Sequence, residues 1–141
     1  RDEAFNIAAL PDFEIFRAAH EDEVKRFQDI TQKMGVHSEE ELNARTDPTV
    51  IITCVGRSNG LSGVVAGSSV HPVIACPVFK DKNDYIVNIH STLQMPSDVP
   101  VLTVLEPKNA ALAAIRILGE SDKALQKKVD EAIKAVKKGY S

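Results

Sequence analysis

No stretch of this sequence approaches the roughly 18 consecutive apolar residues that a bilayer-spanning helix needs, so no helical membrane span is expected. The opening RDEAFNIAAL has acidic residues where a secretory signal has a basic region, and it lacks an extended apolar centre. The chain is therefore expected to be soluble and cytoplasmic. A basic field is also missing: 17 Lys and Arg stand against 20 Asp and Glu, a net charge of −3. That leaves a nucleic-acid partner without an electrostatic footprint, although a small phosphorylated ligand needs only one local positive or amide-lined site. Cysteine is scarce. Cys54 and Cys76 each lie inside an apolar run without CxxC spacing, the pattern of small buried thiols and not of a disulfide or metal pair. The histidines are scattered singly, so no structural zinc site is expected, and neither a GxGxxG fingerprint nor a Walker loop occurs.

What is present fits one domain, since 141 residues suffice for a single sizeable core. Val50 to Gly63, VIITCVGRSNGLSG, is the most informative stretch: β-branched residues run straight into a polar loop hinged by Gly56 and Gly60. The spacing predicts a helix ending before Pro11, then a half-buried strand over Asp12 to Arg17 that delivers the chain to Ala18-Ala19-His20. A helix follows over Asp22 to Met34. A short one, started by a Ser38 to Glu41 capping box, is closed by Asp47-Pro48. The strand Thr49 to Val55 reads as buried on both faces, as in a parallel sheet. Leu61 to Val70 is a short helix whose small residues permit close packing on a neighbour. Val73 to Cys76 is a buried strand, Pro77 to Asn83 a polar loop, and Tyr85 to Met95 a helix. Val101 to Leu105 is a further strand, and Glu106-Pro107 opens a helix through Leu118 that is apolar nearly all round. Such a helix is expected to be covered by its own domain and by another subunit. The last helix, about Asp122 to Lys138, has Leu125, Val129, Ile133 and Val136 as its stripe and a solvated lysine face. Strands alternating with helices predict an α/β three-layer αβα sandwich with a mainly parallel sheet, whose ligands sit beyond the carboxyl ends of the strands.

Two loops obey that rule, Ala18-Ala19-His20 and Gly56 to Gly60, and they are expected to face one crevice. His20, at a strand end before a helix, can take and return a proton near neutrality. His37, His71 and His90 have weaker claims. Ser58 and Asn59 offer a hydroxyl and a carboxamide beside loop amides, a set suited to a carboxylate, a phosphate or a polarised carbonyl. Met95-Pro96-Ser97-Asp98 taken alone is an ordinary turn.

In combination, GRSNGLSG, PVIACP, STLQMPS and VLEPKNAALAAIRIL, in this order, resemble the aminoimidazole ribonucleotide (AIR) carboxylase family of purine biosynthesis over about Ala18 to Leu118. GRSN, in place of a GGAAH-type loop, marks the animal-type, class II, CO2-using members. The resemblance implies a flavodoxin-like αβα sandwich assembled as a homo-octamer. It also implies reversible carboxylation of AIR by CO2 to carboxyaminoimidazole ribonucleotide, with no metal, biotin or ATP. On matching positions, His20 is implied as the acid/base. Ala18, Gly56, Arg57, Ser58, Asn59, Met95 and Pro96 are implied to line the substrate pocket, with Ser58 at the CO2 position.

Two departures accompany the resemblance. The family's first strand and its GSxSD phosphate loop have no match in these residues, so the single domain over 1–141 is expected to lack both. Glu21 stands where the family has a basic residue, and a carboxylate there repels a substrate phosphate. Besides the carboxylase, two readings stay open: a mutase acting on the N-carboxy isomer, which GRSN argues against, and a non-catalytic paralogue that retains the fold.

Overall fold

The computed structural model describes residues 15–18, 39–56 and 60–140. The helices expected before Pro11 and over 22–34, the Ser38 cap, and His20, Glu21, His37, Arg57, Ser58 and Asn59 lie outside the described residues.

The described strands are β1 (Ile15–Ala18), β2 (Ile51–Val55), β3 (Val73–Ala75) and β4 (Leu102–Thr103), which form one four-stranded sheet in the order β1-β2-β3-β4. All three pairings are parallel, with Ala18 beside Val55, Thr53 beside Ala75, and Ile74 beside Leu102. The helices are α1 (Glu39–Asn43), α2 (Gly60–Ser68), α3 (Lys82–Leu93), α4 (Pro107–Gly119) and α5 (Lys123–Lys138). Parallel neighbours require crossovers, and helices supply them here.

Alternation along β2 sorts its side chains between two cores. Ile51 joins Val73, Leu42 of α1 and Ala66 of α2 on one face, with Val65, Val99 and Val101 packed against them. Ile52 joins Ile74, Cys76 and the α4 residues Ala110 and Ala114 on the other. The sheet is thus covered on both sides, the expected three-layer sandwich. Ile74 and Ile115 are fully buried, and burial of each side chain is worth about 2 to 3 kcal/mol.

Local chemistry explains the helix boundaries. Asp81 caps α3, its Oδ1 accepting from Asp84 N at 2.9 Å, so this helix starts at Lys82 and not at Tyr85, and it ends at Leu93 before Met95. Pro107 opens α4, and Glu106 Oε2 accepts from Asn109 N at 2.7 Å. α1 ends at Asn43, four residues before the expected Asp47-Pro48 stop, because Asn43 turns its side chain to the end of α2. Its Nδ2 donates to Ser68 O at 2.7 Å and its Oδ1 accepts from Val70 N at 3.0 Å. β4 holds two residues where five were expected, although Val104 N continues the ladder to Ala75 O at 2.9 Å.

The apolar α4 packs against β2 and β3 on one side and α5 on the other, while Leu112, Ala113, Ile117 and Leu118 stay half-buried. α5 is less well covered. Leu125, Val129 and Ile133 are half-buried and Val136 is 56% exposed, so the expected stripe is only partly used.

Candidate functional site at the carboxyl edge of the sheet

Ala18 and Val55 are register partners, so β1 and β2 deliver their following residues at the same edge of the sheet. This places the exits toward the two expected loops side by side. Past Val55 the sheet continues by one bridge, Gly56 beside Val78, with Val78 N donating to Val55 O at 2.9 Å. A Cβ on Gly56 would sit 3.5 Å from Val78 O, an ordinary contact, so the bridge is not what requires glycine at this position.

Gly56 lines an open cleft of about 620 Å³ whose other wall is the β3–α3 connection and the first turns of α3. Asp84 braces that wall. One carboxylate oxygen accepts from Lys80 N at 2.8 Å, and the other accepts from Asn88 Nδ2. Phe79 and Tyr85 stack edge to face with ring centres 5.1 Å apart. The carboxylates of Asp81 and Asp84 are engaged by the backbone and Asn88, leaving the Lys80 ammonium as the cation among the lining groups. A wall that carries amide groups and one cation beside two carboxylates suits a small polar ligand.

This wall was missed in the sequence, where Pro77 to Asn83 reads as a plain polar loop. The usable signal was Asp81 three residues before Asp84, a helix-start pattern that brings Lys80 and Asn88 around one carboxylate.

Met95 and Pro96 do not line this cleft. Met95 is half-buried against Gly63 of α2, and Val99 lies against Gly67 one turn further on, so residues 95–99 run down the side of α2. The small residues of α2 thus accept a neighbouring segment, as its composition predicted. Pro96 is exposed and starts a turn in which Val99 N donates to Pro96 O at 3.3 Å and Asp98 adopts φ 65°. Of the other expected site residues, Ala18 ends β1 and Gly56 is in the cleft, while His20, Arg57, Ser58 and Asn59 lie outside the described residues.

Two remaining groups have structural roles. His71 Nε2 donates to Leu42 O at 2.8 Å, which ties α1 to the start of β3. Cys76 lies one residue beyond β3, next to Cys54, and neither is in a disulfide. Burial pushes the Cys76 thiol up to about 12, with Cys54 and Glu106 adding to the rise, so it stays protonated and is no nucleophile. Among the described residues, no group of three or more His, Cys, Asp or Glu is arranged to hold a metal ion, and no helix is long and apolar enough to cross a membrane.

A protein-family profile described as AIR carboxylase matches residues 10–139. The chain belongs to the AIR carboxylase family. Among its relatives, a phosphoribosylaminoimidazole carboxylase from Treponema denticola is 46% identical over 85 residues, covering 60% of this chain and 53% of that protein. A probable multifunctional protein ADE2 from Caenorhabditis elegans is 49% identical over 71 residues, covering 50% of this chain and 16% of that protein. The matches thus span about half the length of the carboxylase, and a smaller part of the multifunctional protein. The crystal structure of Treponema denticola PurE superposes with a TM-score of 0.72 at 29% identity, covering 89% of this chain and 92% of that one. The fold of this family member is therefore the αβα sandwich of PurE.

Proposed function

We propose that this chain is a class II AIR carboxylase, which joins CO2 to the imidazole carbon of AIR and reverses that step. The observation that carries the reading is the family match over residues 10–139 together with the GRSN motif, which starts at Gly56 on the carboxyl edge of the sheet. AIR behaves as an enamine. Its ring carbon attacks the CO2 carbon, a C–C bond forms, and the proton displaced from the ring carbon passes to His20, which returns it in the reverse direction. Ser58 and the neighbouring loop residues hold CO2 away from water, with Gly56, Arg57, Asn59, Ala18, Met95 and Pro96 lining the substrate pocket. The reading carries with it a homo-octameric, cytoplasmic enzyme, and the half-exposed stripe of α5 supports assembly.

Incorporation of labelled CO2 into AIR tests it. Carboxylation that rises with dissolved CO2, with no turnover of the N-carboxy isomer, is the expected result. Turnover of that isomer alone would make the chain a mutase. Absence of both activities, with AIR binding restored by Glu21→Lys, would make it a paralogue without phosphate binding.

A further inference from the structure

We propose that Gly63 is a positioning residue: its bare backbone seats Met95 on the first turn of α2, locking the Met95-Pro96 segment to the helix that begins where the Gly56 to Gly60 loop ends. This deepens the carboxylase reading and rests on it for the role of Met95.

The geometry is specific to one position. A Cβ built on Gly63 would lie 3.1 Å from Met95 Sδ, closer than side chains ordinarily approach, and 3.7 Å from its Cε, an ordinary contact. At Gly67, one turn along the same helix, the nearest described atom to an added Cβ is Val99 Cγ2 at 3.8 Å, an ordinary contact, and at Gly60 none of the described residues lies within 4 Å. Three glycines in one nine-residue helix thus have three different surroundings, and among the described residues only Gly63 meets a neighbour's side chain at short range.

Met95 is held from both of its own sides. Before it, Gln94 N donates to His90 O at 2.9 Å and ends α3; after it, the Pro96 to Val99 turn redirects the chain down α2. The backbone of Met95 is therefore anchored on both sides, and its thioether rests on Gly63. A methyl group added at Gly63 displaces Met95 by a few tenths of an ångström or tilts the first turn of α2. Either movement shifts one expected wall of the substrate pocket against the other. Small misplacements of positioning groups are costly, about 100-fold for 1 Å, so a shift of this size is expected to cost several-fold.

Glycine is a poor helix former, so Gly63→Ala should hold or raise the melting temperature through helix propensity while it harms positioning. This opposition of signs separates the proposed role from packing. The test compares Gly63→Ala with Gly67→Ala in the full chain. Methyl-labelled methionine gives two signals, from Met34 and Met95. In Gly63→Ala the Met95 methyl and the Gly56 and Gly60 amides are expected to shift, KM for AIR to rise about fivefold, and Tm to hold. In Gly67→Ala all of these should match the parent.

An unmoved Met95 methyl in folded Gly63→Ala overturns the proposal, as does a moved methyl with unchanged Gly56 and Gly60 amides or unchanged KM. If Gly63→Ala does not fold, Met95→Leu replaces it, with the same amide shifts and rise in KM supporting the proposal and parental values overturning it. A parent chain that fails to turn over AIR refutes the carboxylase reading alone. The methyl and amide shifts, measured without substrate, still decide the seating of Met95.

Discussion

His71 donates from Nε2 to the carbonyl oxygen of Leu42 at 2.8 Å, so a residue two positions before β3 is bonded to the short helix α1 that precedes β2. The same carbonyl also accepts from Arg45 N at 3.2 Å, and removal of the imidazole therefore does not orphan it. His71→Phe is expected to lose about 1 kcal/mol, the net worth of one hydrogen bond, and not the larger cost of a buried unpaired acceptor. Urea denaturation measures the difference. A loss above about 3 kcal/mol would show that the ring is needed for more than this bond.

Thr53 in β2 and Thr92 in α3 are each 1% exposed, and their hydroxyls find no hydrogen-bond partner among the described residues. A buried hydroxyl left unpaired costs about 1 to 3 kcal/mol, and valine has the same shape with a high strand propensity. Thr53→Val is accordingly expected to stabilise the fold by about 1 kcal/mol. An increase in the urea midpoint at constant slope is the check.

Burial holds the Cys76 pKa at about 12 against an ordinary value of 9.0. With the folded pKa raised, the folded state retains a proton that the unfolded chain releases. The contribution of this thiol to stability is therefore complete below pH 9.0 and declines as pH rises from there to about 12. Cys76→Ala should flatten the alkaline fall in stability relative to the parent, and native Cys76 should resist alkylation at pH 8 until the protein unfolds.

For the carboxylation itself, His20→Asn is expected to lower turnover by about 100-fold to 10,000-fold, the usual contribution of a positioned acid/base, with the melting temperature held. Turnover equal to the parent would remove His20 from the mechanism.

Much of the sandwich is legible in the sequence because its strongest signals are local. The β-branched run into Gly56 marks β2, Pro107 marks the start of α4, and the small residues of α2 announce a close neighbour. What escapes depends on partners distant in sequence. Nothing in Tyr85 to Met95 shows that α3 begins at Lys82 unless Asp81 is recognised as a cap, and the cleft wall built on Asp84 follows from that same cap. The stripe on α5 has a strong helical period, yet how deeply it is buried depends on how far α4 covers it. In the candidate site, the glycine-hinged loop points to Gly56 and the family resemblance to Met95, but only the packing shows that Met95 rests on Gly63 and lies outside the cleft lined by Gly56.

The placement of Ala110 and Ala114 against Ile52, Ile74 and Cys76 has a consequence for synthesis. A nascent chain that has released β2 and β3 has Leu42 and Ala66 available for one side of the sheet, but Ala110 and Ala114, which pack on the other side, are still to come. Completion of that side of the sheet is therefore deferred until α4 has been made, because the covering contacts join residues far apart in sequence. During that interval the uncovered side is a natural binding surface for a chaperone. A stop codon before Pro107 would remove the α4 contacts with Ile52, Ile74 and Cys76, and an aggregation-prone product is expected in place of a smaller stable domain.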